Sequence, residues 1–281
     1  MIQNMRKWAA NVIAAPAKQP LPILSFPSVQ LLDVSVRELV GSSELQAKGM
    51  KAVADRVGAA AAVSMMDLSV EAEAFGSQII FSDDEVPTVV GAIVSDEEGA
   101  DALRVPQVGD CRTGIYVDAV AKAVELITDR PVFAGVIGPF SLAGRLMGVT
   151  DAMFFCYDEP DMVHTILDKV SQFTISYCNA YKAVGANGVM MAEPLGGLLS
   201  PTMADMLAGA PEVVLVMGNV SPARQFRGGT PDSIRESTLE IMEACCGNPN
   251  FVISSGCDIP PQSAWDNIDS FFSAAADFYN N

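Results

Sequence analysis

Positive charge is scarce in this chain: 17 Lys and Arg stand against 34 Asp and Glu over 281 residues, a formal net charge of −17. Such a surface repels phosphate backbones and anionic lipid, which argues against nucleic acid as a partner. Long apolar runs are missing too. Pro131–Ala143 and Val57–Met66 are among the longest, both are too short to cross a bilayer, and neither has signal-peptide flanks; the expectation is a cytoplasmic protein that uses no membrane. None of the six cysteines (111, 156, 178, 245, 246 and 257) makes a C-x-x-C pair, and their scatter supplies no disulfide framework. Most read as small buried hydrophobes, Cys245-Cys246 included. Histidine is nearly absent. His164 stands alone, flanked by Asp161 and Asp168 in a helix-patterned stretch, and reads as a surface or boundary residue.

Hydrophobic residues make up 50% of the chain and charged ones only 18%, which suits strands buried on both faces beneath helices. At 281 residues a single α/β domain spanning 1–281 is admissible. Short apolar runs recur at Pro22–Phe26, Ala60–Met66, Val132–Ile137, Gly188–Ala192, Val213–Met217 and Phe251–Ser254, each a candidate buried strand. Between most of them lie stretches with helical spacing: Ser42–Arg56, Tyr116–Ile127, Asp161–Ala183, Pro231–Cys245 and Trp265–Phe278. Alternation of strand and helix implies right-handed crossovers and a parallel sheet, open or closed into a barrel. One excursion, around 78–94, pairs Gln78–Phe81 with Thr88–Val94 as an expected hairpin over one mouth of the sheet. Thr230-Pro231 predicts a capped helix start, and Asp158–Asp161 another with acids at the positive end of the dipole.

Polar punctuation follows several candidate strands: Met66-Asp67, Gly138-Pro139-Phe140-Ser141, Glu193-Pro194, Gly218-Asn219 and Gly256-Cys257-Asp258. In parallel α/β sheets the C-terminal strand ends converge on the ligand, so these residues are candidates for chemistry. Asp67 can bond a substrate or cap a helix. Glu193 can complete a metal site or cap a helix, and Asn219 can offer its amide to a ligand or serve a turn.

The segments GPFSLAGRLMG (138–148), AEPLGGLLSP (192–201), VMGNVSPARQFRGGTPDSI (216–234) and FVISSGCDIPPQSAWDNI (251–268) together resemble the uroporphyrinogen decarboxylase superfamily, and within it the methylcobalamin:coenzyme M methyltransferase branch. The resemblance implies a TIM-type (β/α)8 barrel with its site at the C-terminal mouth. It also implies zinc held by a His-x-Cys pair and by a distant Cys in a Ser-Ser-Gly-Cys motif, which Cys257 matches; zinc lowers a bound thiol's pKa to supply a thiolate. The His-x-Cys pair is absent here. So is the Arg-rich segment with which the decarboxylase branch holds substrate carboxylates, since Pro27–Asp33 carries no Arg.

The residues give six candidate strands where that barrel has eight, and the family's fifth and sixth strand–helix units are expected to be missing around Thr202–Met203. Either the chain is shortened there or further residues intervene; unpaired edges inside a sheet favour the latter. The function expected is methyl transfer from a corrinoid (methylcobalamin, or a corrinoid carried on a partner protein) to a small thiol such as coenzyme M. Cys257 would be a metal ligand, Glu193 and Asp67 catalytic, and Asn219, Arg145 and Ser141 substrate-binding, with Arg145 facing an anionic group such as a sulfonate or pairing with a nearby acid. The alternatives are a tetrapyrrole decarboxylase and a non-catalytic corrinoid-binding remnant.

Overall fold

The structure, a computed structural model, describes residues 4–198 and 215–280. Its strands in chain order are β1 (Ala62–Val63), β2 (Gln78–Ile80), β3 (Thr88–Val90), β4 (Val132–Ile137), β5 (Gly188–Ala192), β6 (Val216–Val220) and β7 (Phe251–Ser255). The β1–β4, β4–β5 and β6–β7 pairings are all parallel. The extended segment 20–26 joins the two groups. Leu21 N–H donates to the Ile253 carbonyl at 3.0 Å, Ile259 N–H to that of Ile23 at 3.0 Å, and Ala60 N–H to that of Pro20 at 2.9 Å. The lateral order is therefore β6, β7, segment 20–26, β1, β4, β5.

This array curls round on itself. Leu21, Ile23, Val63, Phe133 and Val252 form one buried cluster, and Met190 and Ala192 of β5 pack on it together with Leu215 and Met217 beside and within β6. Residues from the two outermost strands thus meet in one cluster. Trp8, from the helix Met5–Ala14, stands edge-on to Phe133 at 5.5 Å and fills the interior at the N-terminal strand ends. Along β4 the side chains alternate: Phe133 faces this interior while Val132, Ala134 and Val136 join the outer cluster under the helices Ser43–Arg56, Thr113–Leu126 and Pro160–Ala183. Burial of both faces is why such strands read as unbroken apolar runs. Phe251 and Ile253 pack likewise under the helices Pro231–Cys245 and Trp265–Asn280.

The expected alternation is present, with parallel strands and covering helices. The hairpin is present too, β2 lying antiparallel to β3 with Ile79 opposite Val89. Thr230 caps its helix by accepting from Ser233 N–H, and Asp161 stands in the first turn of the helix that begins at Pro160. Two differences have physical causes. Segment 20–26 is extended but touches its neighbours through isolated bonds rather than a ladder. The polar stretch after β4 is itself a helix, Pro139–Met147, because Pro139 pre-sets the first helical φ. The cysteines are less buried than expected: Cys111 is exposed and the other five are half-buried, Cys245 and Cys246 packing on the cluster of Phe251 and Ile253.

The junction at Thr202–Met203 and the start of the strand expected at Val213 lie outside the described residues. Among the described residues no ladder joins β5 to β6, and the outer face of β5 leaves Val189 39% and Met191 49% exposed. No described helix is long and apolar enough to cross a membrane.

Candidate functional site

The C-terminal strand ends enclose a recess of about 140 Å³ lined by Phe26, Met66, Asp67, Leu68, Val86, Pro87, Arg145, Cys257 and Asp258. Five separate parts of the fold meet there: segment 20–26, the end of the β1 run, the hairpin turn, the helix Pro139–Met147 and the turn after β7. Asp258 ties three of them together. Its carboxylate accepts from Ser25 Oγ, from Ser25 N–H at 3.2 Å and from Met66 N–H at 3.0 Å. Burial pushes that carboxyl up to about 6, against the pull of these donors. Burial also raises the Cys257 thiol, as does the neighbouring Asp258 charge, while Arg145 opposes both. Arg145 comes from the helix Pro139–Met147 and is half-buried; burial lowers its pKa. Among the described residues its guanidinium makes no hydrogen bond or ion pair, so the recess holds an uncommitted cation beside a thiol.

Asp67 borders the recess, but its carboxylate is turned the other way and only 1% of the side chain is exposed. One oxygen accepts from Ser69 N–H at 3.0 Å and from Ser69 Oγ at 2.6 Å; the other accepts from Tyr116 OH at 2.8 Å and from the Arg112 guanidinium. Arg112 also pairs with Glu73 at 2.6 Å and lies over the Phe81 ring of the hairpin at 4.8 Å. This network clamps the end of the β1 run to the helix Thr113–Leu126 and to the hairpin. Beneath it, Glu71 is buried with its carboxylate accepting from Ile137 N–H at 3.1 Å, and burial raises it to about 7.

Glu193 and Ser141 find each other away from Cys257. The Glu193 carboxylate accepts from Phe140 N–H at 3.0 Å, from Ser141 N–H at 2.7 Å and from Ser141 Oγ, so it caps the Pro139–Met147 helix from the neighbouring strand. Gly138 is required for this, since a Cβ there would collide with the Glu193 carboxylate. Asn219 ends β6 opposite Ser254, on the same face parity as Met217, and its Cβ lies beside Gly256. His164 is exposed on the helix Pro160–Ala183. Cys257, Arg145 and Asp67 thus share the recess, Asn219 flanks the turn that carries Cys257, and Glu193 with Ser141 serves a helix end.

A catalytic zinc site takes three protein ligands. Here Cys257 is one soft donor, and the oxygens of Asp67, Asp258 and Glu193 are engaged by protein donors. Among the described residues no group of three or more His, Cys, Asp or Glu is arranged to hold a metal. The described residues do not fit zinc.

Arg112, Glu71 and Pro87 carried no expectation from the sequence, and Asp258 was named only as part of the Gly256-Cys257-Asp258 turn. Asp258 had a signal, its place directly after Gly256-Cys257 at a strand end. Arg112 and Glu71 had none, because their partners lie 45 and 66 residues away.

Comparison with known proteins agrees with this architecture. The family model described as uroporphyrinogen decarboxylase (URO-D) matches residues 28–211 and 202–278. A methylcobamide:CoM methyltransferase, MtbA, of Methanosarcina acetivorans is 21% identical over 270 residues, covering 75% of this chain and 78% of that protein. A uroporphyrinogen decarboxylase of Coxiella burnetii is 28% identical over 150 residues, 51% of this chain but only 41% of its own length. The solved structure of a methyltransferase from Methanosarcina mazei superposes with a TM-score of 0.79 at 20% identity, over 96% of this chain and 97% of that one; at that identity the likeness is one of fold.

Proposed function

Because the chain belongs to the uroporphyrinogen decarboxylase (URO-D) family, we propose that its recess serves the methyltransferase chemistry of that family, moving a methyl group from a corrinoid to a small thiol that carries an anionic group. The observation that carries this reading is the recess itself: about 140 Å³, with the Arg145 guanidinium, unpaired among the described residues, beside the Cys257 thiol. Pockets for drug-sized ligands run to about 300–1,000 Å³, so a tetrapyrrole with many carboxylates would meet too little room and one cation. A small anionic thiol suits both limits. The corrinoid, too large to enter, would present its methyl group at the rim, either free or on a partner protein.

In this reading Arg145 holds the anionic end of the substrate, and its charge in a partly desolvated site favours the thiolate over the thiol. The substrate thiol releases its proton to water and its sulfur attacks the methyl carbon. The bond from carbon to cobalt breaks with its electron pair left on the donor, and a thioether departs. Asp258 and the Asp67–Arg112 clamp keep the strand ends in place. Zinc, which the family resemblance implies, finds one sulfur here, and no step is routed through it.

The six-segment array is read as the family's eight-unit barrel with two units lacking between β5 and β6. The exposed outer face of β5 and the meeting of the two family-model segments at 202–211 support this. Decarboxylation remains the second reading, favoured by the decarboxylase relatives alone.

The test is to incubate the protein with methylcobalamin and either 2-mercaptoethanesulfonate or uncharged 2-mercaptoethanol, detecting the thioether by mass spectrometry. Methylation of the anionic thiol, with its preference over the neutral one falling about tenfold or more in Arg145→Met, is expected. Release of CO2 from uroporphyrinogen without thiol methylation would overturn the reading. Corrinoid binding without turnover would point to the remnant instead.

A further inference from the structure

The hairpin β2–β3 is exposed along most of its turn: Asp83, Asp84, Glu85 and Val86 all face solvent, and so does Thr88. Pro87 alone in that run is buried, and with Val86 it lines the same recess as Cys257 and Arg145. A buried proline at the tip of an exposed hairpin is a wedge. Its ring has fixed geometry and no N–H to satisfy, so it fills space without needing a polar partner.

The tip is also held down from two sides. Arg227, in the turn that follows β6, pairs with Glu85 at 3.0 Å across 142 residues of sequence. Arg37 pairs with Asp83 at 2.9 Å and donates to the Phe81 carbonyl at 2.7 Å, and Val36 N–H donates to the Asp83 carbonyl at 2.8 Å. Phe81, the first residue of the turn after the Ile80–Thr88 pair, rests its ring on Arg112, which is buried. The start of the turn is thus fixed by the buried Arg112 and by the contacts to Asp83, whereas the Arg227–Glu85 pair further along it is solvent-exposed on both partners. Exposed ion pairs are weak and screened by salt.

We propose that the hairpin tip is the specificity-determining roof of the recess, with Pro87 setting how large a thiol enters and the Arg227–Glu85 pair holding that roof shut. The proposal rests on the reading of the recess as a thiol site. Weak latching suits a roof that must lift for substrate and product. The fixed start of the turn limits the movement to residues 84–87.

Two variants and one ligand series test it, using the full chain. The probes share an anionic group and differ in bulk: 2-mercaptoethanesulfonate, 3-mercaptopropanesulfonate and 4-mercaptobenzenesulfonate. Binding is measured by calorimetry and turnover with methylcobalamin. Pro87→Ala is expected to improve the bulky aryl thiol relative to the small one by about tenfold, the order of discrimination a tight pocket achieves. Arg227→Gln is expected to speed hydrogen exchange of amides 84–86 by up to about fivefold at low salt, with exchange of the paired strand around Gln78–Ile80 unchanged. An unchanged size preference in a Pro87→Ala protein that still binds thiols overturns the proposal, as does unchanged exchange in Arg227→Gln. If the wild-type protein neither binds nor methylates any thiol, the functional reading falls, and exchange alone decides whether the tip is latched.

Discussion

Glu71 offers a perturbation whose size follows from the structure. Its carboxyl lies beneath the Asp67 clamp, accepts one hydrogen bond from Ile137 N–H, and is raised from 4.5 to about 7 by burial. A carboxyl raised in the folded state binds its proton more tightly folded than unfolded. The stabilisation is therefore complete below about pH 4.5 and is lost as pH rises through about 7. At 1.36 kcal/mol per pKa unit, the loss amounts to about 3 kcal/mol across that window. Glu71→Gln keeps an oxygen to accept from Ile137 and removes the ionisation. Asp258, raised to about 6, pulls in the same direction but is present in both proteins and cancels from the difference. Urea unfolding of wild type and variant at intervals from pH 4 to pH 8 measures the effect. The glutamine protein should gain on the wild type steadily as pH rises, by up to about 3 kcal/mol at pH 8. Parallel pH profiles, or a variant that loses ground on alkalinisation, would refute the account of Glu71 as a carboxyl that burial keeps protonated.

Glu193→Ala removes the acceptor for two amides and a hydroxyl at the start of the Pro139–Met147 helix. It should cost about 1–2 kcal/mol in urea unfolding, as loss of a helix cap does; loss of activity at unchanged stability would instead place Glu193 in the chemistry. Dialysis against zinc followed by elemental analysis should leave well below one ion per chain, in wild type and in Cys257→Ala alike. One retained ion, released by Cys257→Ala, would reverse the finding that the described residues do not fit zinc.

The placement of Cys257 at the recess was legible because it follows a strand end, and strand ends converge in a parallel array; that of Arg145 was legible from the segment 138–148 that carries the family resemblance. The roles of Asp67 and Glu193 were not legible. Asp67 sits at a strand end as a ligand-binding residue would, yet Arg112 and Tyr116, brought in by a different helix, take up one of its oxygens. Glu193 likewise occupies a site-like position, and only the placement of β5 beside β4 reveals it as a cap for another unit's helix. Pro87 reads as an ordinary hairpin residue until the fold lays the tip over the recess.

The sequence by itself determined most of the local order: which runs are extended, where the long helices lie and what polar groups follow the runs. Those follow from apolar periodicity, capping and backbone constraint, all of which act within a few residues. The tertiary structure alone decided which of those polar groups face a ligand and which face each other, because hydrogen bonds and ion pairs between residues dozens to hundreds of positions apart depend on how the strands are ordered around the interior.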